Sequence, residues 1–177
     1  MIQFCGFPRE GAASPFGVLP ARGVYTLIIF LSKDTSFNVG RLGFQSFPEG
    51  YYSYTGSALG VGATSLSHRI LRHLRKEKRN FWHIDFLLAQ KDAVVTSVVA
   101  APTTNRKMEC DINSYIKEKC QAKVPVPGFG ASDCGKNCRS HLLYFGKGVT
   151  EKKTATPLRR DGLTAHYHTI LTAYPPP

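Results

Sequence analysis

Hydrophobic residues occur in short runs along the chain, and their spacing predicts a mixture of strands and helices. The run Gly23–Leu31 is β-branched and aromatic, which is typical of a buried strand. Residues 32–50 are polar and interrupted by glycine, so we expect a hairpin-like excursion there that can contain a short strand. Residues 51–54 predict the next strand. Further apolar runs predict strands at residues 84–88, 94–100 and 141–145.

Two segments have the spacing of helices. Leu66, Ile70 and Leu74 recur at every fourth position, which predicts an amphipathic helix. Basic side chains occupy the other face of this helix: Arg69, Arg72, His73, Arg75 and Lys76. Residues 105–119 predict a second helix with apolar residues on one face.

These elements predict an α/β (α+β) fold with a small, mainly antiparallel sheet flanked by helices. The length of 177 residues suits one domain, which we expect over residues 23–146. A loose N-terminal arm at 1–22 precedes it, and a basic, proline-ending and poorly ordered tail at 147–177 follows. With 42% hydrophobic and 20% charged residues, the composition argues against a disordered chain. No apolar run is long enough to span a bilayer and no secretory signal is visible, so we expect a cytoplasmic protein without a membrane partner.

The net charge of +11 is the first indication of a partner. Nucleic acids, acidic proteins and anionic membranes are the common partners of such a surplus. Glu77 is the only acid among the cations of the first helix, and a helix selected for solubility usually alternates the signs of its charges. We therefore predict a nucleic-acid-binding face, with a solvated surface as the alternative. The residues of the predicted nucleic-acid-binding face are Arg72, Arg75, Lys76 and Arg79.

Tyrosine motifs stand at two of the predicted strands. Gly23-Val24-Tyr25 opens the first strand, and Tyr54-Thr55-Gly56 closes the second. Leu66-Ser67-His68-Arg69 follows on the first helix, and Glu109 lies on the second. In these motifs the chain resembles the GIY-YIG nuclease superfamily.

One branch of that superfamily fits better than the superfamily at large. It is the small stand-alone branch, archaeal and bacterial, which is sometimes fused to endonuclease III-type DNA glycosylases. The further segments that resemble it are Val39-Gly40-Arg41-Leu42-Gly43, Gly50-Tyr51-Tyr52-Ser53, Trp82-His83-Ile84-Asp85 and Phe129-Gly130-Ala131-Ser132-Asp133-Cys134. Two suggestions follow from the resemblance: a role in DNA repair or recombination, and a DNA-glycosylase-type repair protein as partner.

The resemblance implies a metal-dependent endonuclease that hydrolyses phosphodiester bonds in DNA. Tyr25 would accept a proton from the attacking water, and Tyr54 would assist by hydrogen bonding. Arg69 would neutralise phosphate charge and lower the pKa of Tyr25, while His73 would donate to the leaving oxygen or contact a phosphate. Glu109 would hold Mg²⁺ or Mn²⁺, because one carboxylate together with substrate oxygens is sufficient for such an ion. The alternative is a non-catalytic nucleic-acid-binding module in which the two tyrosines pack in a core.

The chain has 5 cysteines, an odd number that does not indicate a disulfide framework. Three residues are candidate zinc ligands: Cys134, Cys138 and His141. A structural zinc site needs four ligands, and the fourth is missing unless Cys110 or Cys120 approaches. We therefore favour, over zinc, a tight loop in which Asp133 and His141 form hydrogen bonds.

The segment Trp82-His83-Ile84-Asp85 contains another pair of polar residues. On a strand, His83 and Asp85 would share one face. Such a pair either orients a catalytic imidazole or satisfies a buried one, and we favour the structural role.

Overall fold

The apolar run Gly23–Leu31 forms a strand with those bounds, in the middle of an antiparallel sheet. The computed structural model describes residues 19–132, 134–136 and 138–147, together with the backbone of residues 166–169. The strands are β1 (Gly23–Leu31), β2 (Thr35–Asn38), β3 (Phe44–Phe47), β4 (Gly50–Ala58), β5 (Ala93–Pro102), β6 (Leu142–Gly146) and β7 (His166–Thr169). The helices are α1 (Leu66–Leu74), α2 (His83–Leu88) and α3 (Met108–Lys119).

The main sheet has the strand order β6-β4-β1-β5-β7, and its pairings are antiparallel. The strands β2 and β3 form a separate hairpin within the excursion predicted at residues 32–50. These elements confirm the predicted α/β class, with an antiparallel sheet flanked by helices. Among the described residues, no helix combines the length and the apolar character that crossing a membrane requires.

Helices cover both faces of the sheet. Successive residues of β1 point to opposite sides, so this strand contributes side chains to two cores. Tyr25, Leu27 and Ile29 pack in the core that α1 and α2 cover. Val24 packs in a second core with Ile112 and other residues of α3. The helices α1 and α3 therefore lie on opposite faces, and residues from both can meet only near the ends of the strands.

The segment predicted as a strand at residues 84–88 is the helix α2, so that prediction was wrong. Its buried apolar residues have the helical spacing of three and four: Ile84, Leu87 and Leu88. The Asp85 carboxylate accepts the backbone N–H groups of Phe81 and Trp82 at 3.0 and 2.9 Å. These bonds satisfy the open N-terminus of the helix, which explains why a short apolar run is helical here.

Helix α1 has the predicted apolar stripe with one residue added to it. Leu66 and Ile70 are fully buried, and His73 is buried as well, with 2% of its surface exposed. His73 follows Ile70 by three positions and Leu66 by seven, so it lies on their face of the helix. The prediction that His73 belongs to the charged outer face was therefore wrong.

Both predicted terminal segments fall mainly outside the described residues. This applies to residues 1–18 of the predicted N-terminal arm and to residues 148–177, apart from the backbone of β7. The strand β7 pairs with β5 at the edge of the sheet. The segment predicted as a poorly ordered tail therefore contains one strand.

Gly56 lies directly beside Tyr25, and this contact predicts that the position accepts no larger residue. The two residues are register partners in β1 and β4, and a Cβ atom at position 56 would lie 2.5 Å from the Tyr25 hydroxyl oxygen. We expect Gly56→Ala to lower the free energy of unfolding by about 1–3 kcal/mol, measured in urea. Gly135→Ala is the matched control, because its Cβ would meet nothing within 4 Å. A Gly56→Ala variant as stable as the wild type would contradict this packing.

Candidate functional site

Tyr25 and Tyr54 lie on the same face of the sheet, on neighbouring strands. The register pairs Tyr25 with Gly56 and Leu27 with Tyr54, so the two tyrosines are diagonal neighbours. Both are buried, with 2% and 7% of their surface exposed. The structure thus brings the two tyrosine motifs together beneath α1.

His73 connects this tyrosine pair to a carboxylate. Its Nε2 lies 2.7 Å from the Tyr25 hydroxyl, and its Nδ1 lies 3.6 Å from Asp85 Oδ1. Burial lowers the pKa of His73, and the Asp85 carboxylate offsets this only in part. The imidazole is therefore neutral near pH 7. The carboxylate favours a proton on Nδ1, which leaves Nε2 to accept the Tyr25 hydroxyl proton.

The Asp85 carboxylate is fully buried and has more partners than His73. The Arg72 Nη1 donates to both of its oxygens at 2.9 and 3.0 Å, and two backbone N–H groups donate to Oδ2. Burial alone would raise the pKa of Asp85, but His73, Arg72 and these N–H groups outweigh burial and lower the pKa well below its usual range. Asp85 is therefore a carboxylate near pH 7.

Tyr25 keeps its hydroxyl proton near pH 7. Burial raises its pKa well above the ordinary value, and the charges of Tyr54, Glu109 and Asp85 raise it further. Arg69 lowers the pKa of Tyr25, as expected from the sequence, but the burial effect is larger. Tyr25 is therefore a neutral phenol that donates to a neutral histidine.

Arg69 stands beside this group on α1 and is partly buried. Its guanidinium carbon lies 4.7 Å from the centroid of the Trp82 ring, and that of Arg72 lies 4.3 Å from the same centroid. Cation–π contacts of this kind fix the direction of a long side chain. Trp82 therefore positions the positive charge that acts on Tyr25.

Glu109 lies in the first turn of α3, on the face of the sheet opposite to Tyr25. Its Oε2 accepts a hydrogen bond from Ser57 Oγ at 2.5 Å, and its Oε1 lies 2.7 Å from His141 Nδ1. The side chain is 20% exposed and lines an open cleft of about 510 Å³. Three cations line the same cleft: Arg106, Lys107 and Lys136. Glu109 thus faces solvent in basic surroundings while it also holds an imidazole.

A cluster of metal-ligating side chains lies beside Glu109. Its ligand atoms all lie within 4.8 Å of one another and belong to Cys110, Cys134, Cys138 and His141. Cys110 comes from α3 and supplies the fourth ligand that the sequence pattern alone does not provide. The cluster can hold a metal ion. Of the alternative loop contacts, Asp133 lies outside the described residues, and the Nδ1 of His141 faces Glu109.

The residues predicted to bind nucleic acid divide into two pairs. Arg72 pairs with a buried carboxylate, and the Lys76 ammonium donates to a backbone carbonyl oxygen at 2.8 Å. Arg75 and Arg79 are exposed. Close to them in sequence, Phe81 has 74% of its surface exposed. Arg75, Arg79 and Phe81 are therefore open to a ligand, and Lys76 is exposed as well although backbone carbonyl oxygens hold its ammonium.

Sequence reasoning missed the partners of two predicted residues. His83 and Asp85 do not share a strand face: the His83 Nδ1 accepts the Gly130 N–H at 3.0 Å, and Asp85 faces His73 instead. Ser57, which holds Glu109, was also missed. The apolar spacing within residues 84–88 could have revealed the helix, but no local pattern indicates the long-range contacts of Asp85 and Ser57.

A model of the family DUF123, described as a domain of unknown function, matches residues 24–161. The match includes Val24 and Tyr25 of the first tyrosine motif, the whole second motif and all four residues of the cysteine–histidine cluster. No curated protein and no solved structure matches the chain.

Acidification should destabilise the protein in two steps because of His73 and Asp85. An unfolded histidine binds a proton near pH 6.5, whereas burial lowers the pKa of His73, so stability is lost as the pH falls below about 6.5. Folding also lowers the pKa of Asp85. Its stabilisation is therefore present above about pH 3.9 and is lost as the pH falls from there towards the folded pKa.

The measurement is the free energy of unfolding in urea from pH 7 to pH 3, for wild type and Asp85→Asn. We expect the variant to be about 3 kcal/mol less stable at pH 7, because it leaves Arg72 without its ion pair. The difference should shrink below about pH 4. Glu77→Gln, at an exposed carboxylate just after α1, is the control and should follow the wild type. If the difference in free energy of unfolding between wild type and Asp85→Asn were the same at pH 3 as at pH 7, the role assigned to the Asp85 carboxylate would be contradicted.

Proposed function

Because the chain belongs to the DUF123 family of domains of unknown function, we propose its activity from the resemblance of its motifs to GIY-YIG nucleases and from the contacts at its site: a metal-dependent endonuclease that hydrolyses phosphodiester bonds in DNA. One observation carries the proposal. The Tyr25 hydroxyl lies 2.7 Å from the neutral His73, and the charges of Asp85, Arg69 and Glu109 all act on that hydroxyl. The contacts of the Tyr25 hydroxyl with His73, and of His73 with Asp85, thus join β1, α1 and α2 in one polar group.

The geometry supports a proton relay in place of a tyrosine phenolate. The Tyr25 oxygen accepts a proton from the attacking water while its own proton moves to His73 Nε2. The water oxygen forms the new bond to phosphorus, the bond from phosphorus to the leaving oxygen breaks, and the leaving oxygen takes a proton from solvent. The resulting imidazolium lies 3.6 Å from the Asp85 carboxylate, which stabilises its charge.

Arg69 and Glu109 fit the remaining requirements of phosphodiester hydrolysis. The guanidinium of Arg69 can stabilise the charge that grows on the phosphate oxygens. The Glu109 carboxylate is open to the basic cleft, and each of its oxygens keeps a lone pair beyond its contact with Ser57 or His141. This donor suits Mg²⁺ or Mn²⁺, which bind one or two carboxylates together with water and substrate oxygens. Such an ion would supply further stabilisation of the phosphate charge.

The charge distribution supports a nucleic acid as the substrate. The chain carries a net charge of +11, and cations line the cleft at Glu109. On the α1 side, the exposed ring of Phe81 lies in a basic segment with Arg75 and Arg79. An aromatic platform among cations is a common device for holding unpaired bases next to their phosphates.

A non-catalytic nucleic-acid-binding module is the second candidate. The observation in its favour is the burial of Tyr25, which has 2% of its surface exposed and keeps its proton. In that case the Tyr25–His73–Asp85 contacts stabilise the core, and the basic surface alone is functional. The two candidates differ in cleavage but not in binding.

Tyr25→Phe is the decisive variant for cleavage, because it removes one hydroxyl and keeps the ring. We expect the cleavage rate to fall at least about 100-fold, the usual contribution of a positioned acid–base group, with DNA binding unchanged. The assay uses duplex, single-stranded and branched DNA, with Mg²⁺ or Mn²⁺ added or omitted. Tyr144→Phe is the matched control, because its hydroxyl donates to the Glu49 carbonyl away from the site. Binding without cleavage by the wild type on every substrate would select the second candidate.

Removing Arg75 and Arg79 together should weaken DNA binding in a salt-dependent way. We expect Arg75→Ala/Arg79→Ala to reduce the slope of log K against log salt by about 1.8, the value for two phosphate contacts. Lys117→Ala/Lys119→Ala removes the same charge from α3 on the opposite face and is the control. Equal slopes for the two double variants would show that the α1 surface is merely solvated.

A further inference from the structure

We infer that Cys110, Cys134, Cys138 and His141 form a structural Zn²⁺ site that is separate from the site at Tyr25. The distances that the structure gives are 3.3 Å between the sulfurs of Cys110 and Cys134, and 3.8 Å from Cys110 Sγ to His141 Nε2. Tetrahedral zinc with Zn–S bonds of about 2.3 Å and Zn–N bonds of about 2.0 Å places its ligand atoms roughly 3.5–3.8 Å apart. No two of the four ligand atoms are more than 4.8 Å apart, so small side-chain shifts suffice to bring all four to one ion.

The choice of metal follows from the ligand chemistry. Three thiolates and one imidazole are soft and intermediate ligands, which favour zinc over the hard ions Mg²⁺ and Mn²⁺. Four ligands without an exposed coordination position are typical of structural zinc. Cys110 and His141 are buried, with 8% and 3% of their surface exposed.

The surroundings of His141 are those of a zinc ligand. Glu109 Oε1 lies 2.7 Å from its Nδ1, which favours the tautomer with the proton on Nδ1 and leaves Nε2 to bind the metal. The backbone of His141 is also held, since its N–H donates to the Phe129 carbonyl and its carbonyl accepts the Thr55 N–H. A carboxylate, an imidazole and a metal in line form a common arrangement in zinc proteins.

This arrangement gives zinc a second effect, which rests on the proposed function. The metal holds His141, His141 holds Glu109, and Glu109 faces the basic cleft. Loading with zinc therefore positions the carboxylate that the proposed nuclease requires. In this scheme Glu109 has two roles. It orients His141 as a zinc ligand, and it is a candidate ligand of Mg²⁺.

The experiment measures metal content and ligand type in the full chain. We expect one zinc per chain by elemental analysis, and its loss in Cys134→Ser and in Cys138→Ser. Cys120→Ser is the matched control, since this cysteine is not one of the four, and it should keep the metal. Replacement of zinc by Co²⁺ in the wild type should give the absorption bands of tetrahedral thiolate ligation. This spectrum decides the matter even if the cysteine variants do not fold.

Glu109→Gln tests the contact with His141 apart from cleavage. We expect its affinity for Zn²⁺ to fall about 10- to 100-fold in competition with a chromophoric chelator, the usual loss for such a partner. Wild-type protein that binds no zinc after refolding with Zn²⁺, or a Co²⁺ spectrum without thiolate bands, would overturn the site. If the protein binds zinc but cleaves no DNA, the zinc site is supported and the proposed nuclease activity is rejected. If it cleaves DNA but binds no zinc, the nuclease activity is supported and the zinc site is rejected.

Discussion

The carboxylate of Asp85 is the buried charge around which one half of the molecule is arranged. It joins α1 to the start of α2, because it accepts bonds from Arg72 and from two backbone N–H groups and faces His73. A buried carboxylate without these partners would cost several kcal/mol. The positions of Arg72, His73 and Trp82 follow from this requirement. The Asp85 carboxylate also orients His73, which accepts the hydrogen bond from the Tyr25 hydroxyl.

The fold was largely predictable because its central elements carry their own local signals. The run Gly23–Leu31 gave the bounds of β1, and the spacing within residues 105–119 gave α3 to within three residues. The strand prediction for residues 84–88 was wrong because five residues fit either the helical or the strand period, and the contacts that select the helix come from Asp85. The prediction that His73 lies on the charged face of α1 was wrong for a related reason. Its burial is accompanied by contact with a carboxylate that lies twelve positions further along the chain.

The motifs indicated individual residues of the candidate site but not the contacts between them. Tyr25, Tyr54 and His73 lie on one face of the sheet, whereas Glu109 belongs to α3 on the other face and contacts Ser57 and His141. Cys110 joins the metal cluster from α3, 24 residues before Cys134. Contacts at such separations are set by the way that α3 packs on the sheet. No spacing rule within the cysteine loop could have supplied the fourth ligand.

The charges around Tyr25 bear on how the proposed nuclease would use it. Burial and two carboxylates already raise the pKa of this tyrosine, and a bound phosphate would add negative charge and raise it further. A mechanism through a phenolate therefore becomes less favourable when substrate binds. The same negative charge raises the pKa of His73, which makes the imidazole a better proton acceptor. Because Tyr25 would gain the proton of the attacking water as it loses its own, the net transfer is from water to His73. Substrate binding favours this net transfer, and the buried Asp85 carboxylate stabilises the imidazolium that results.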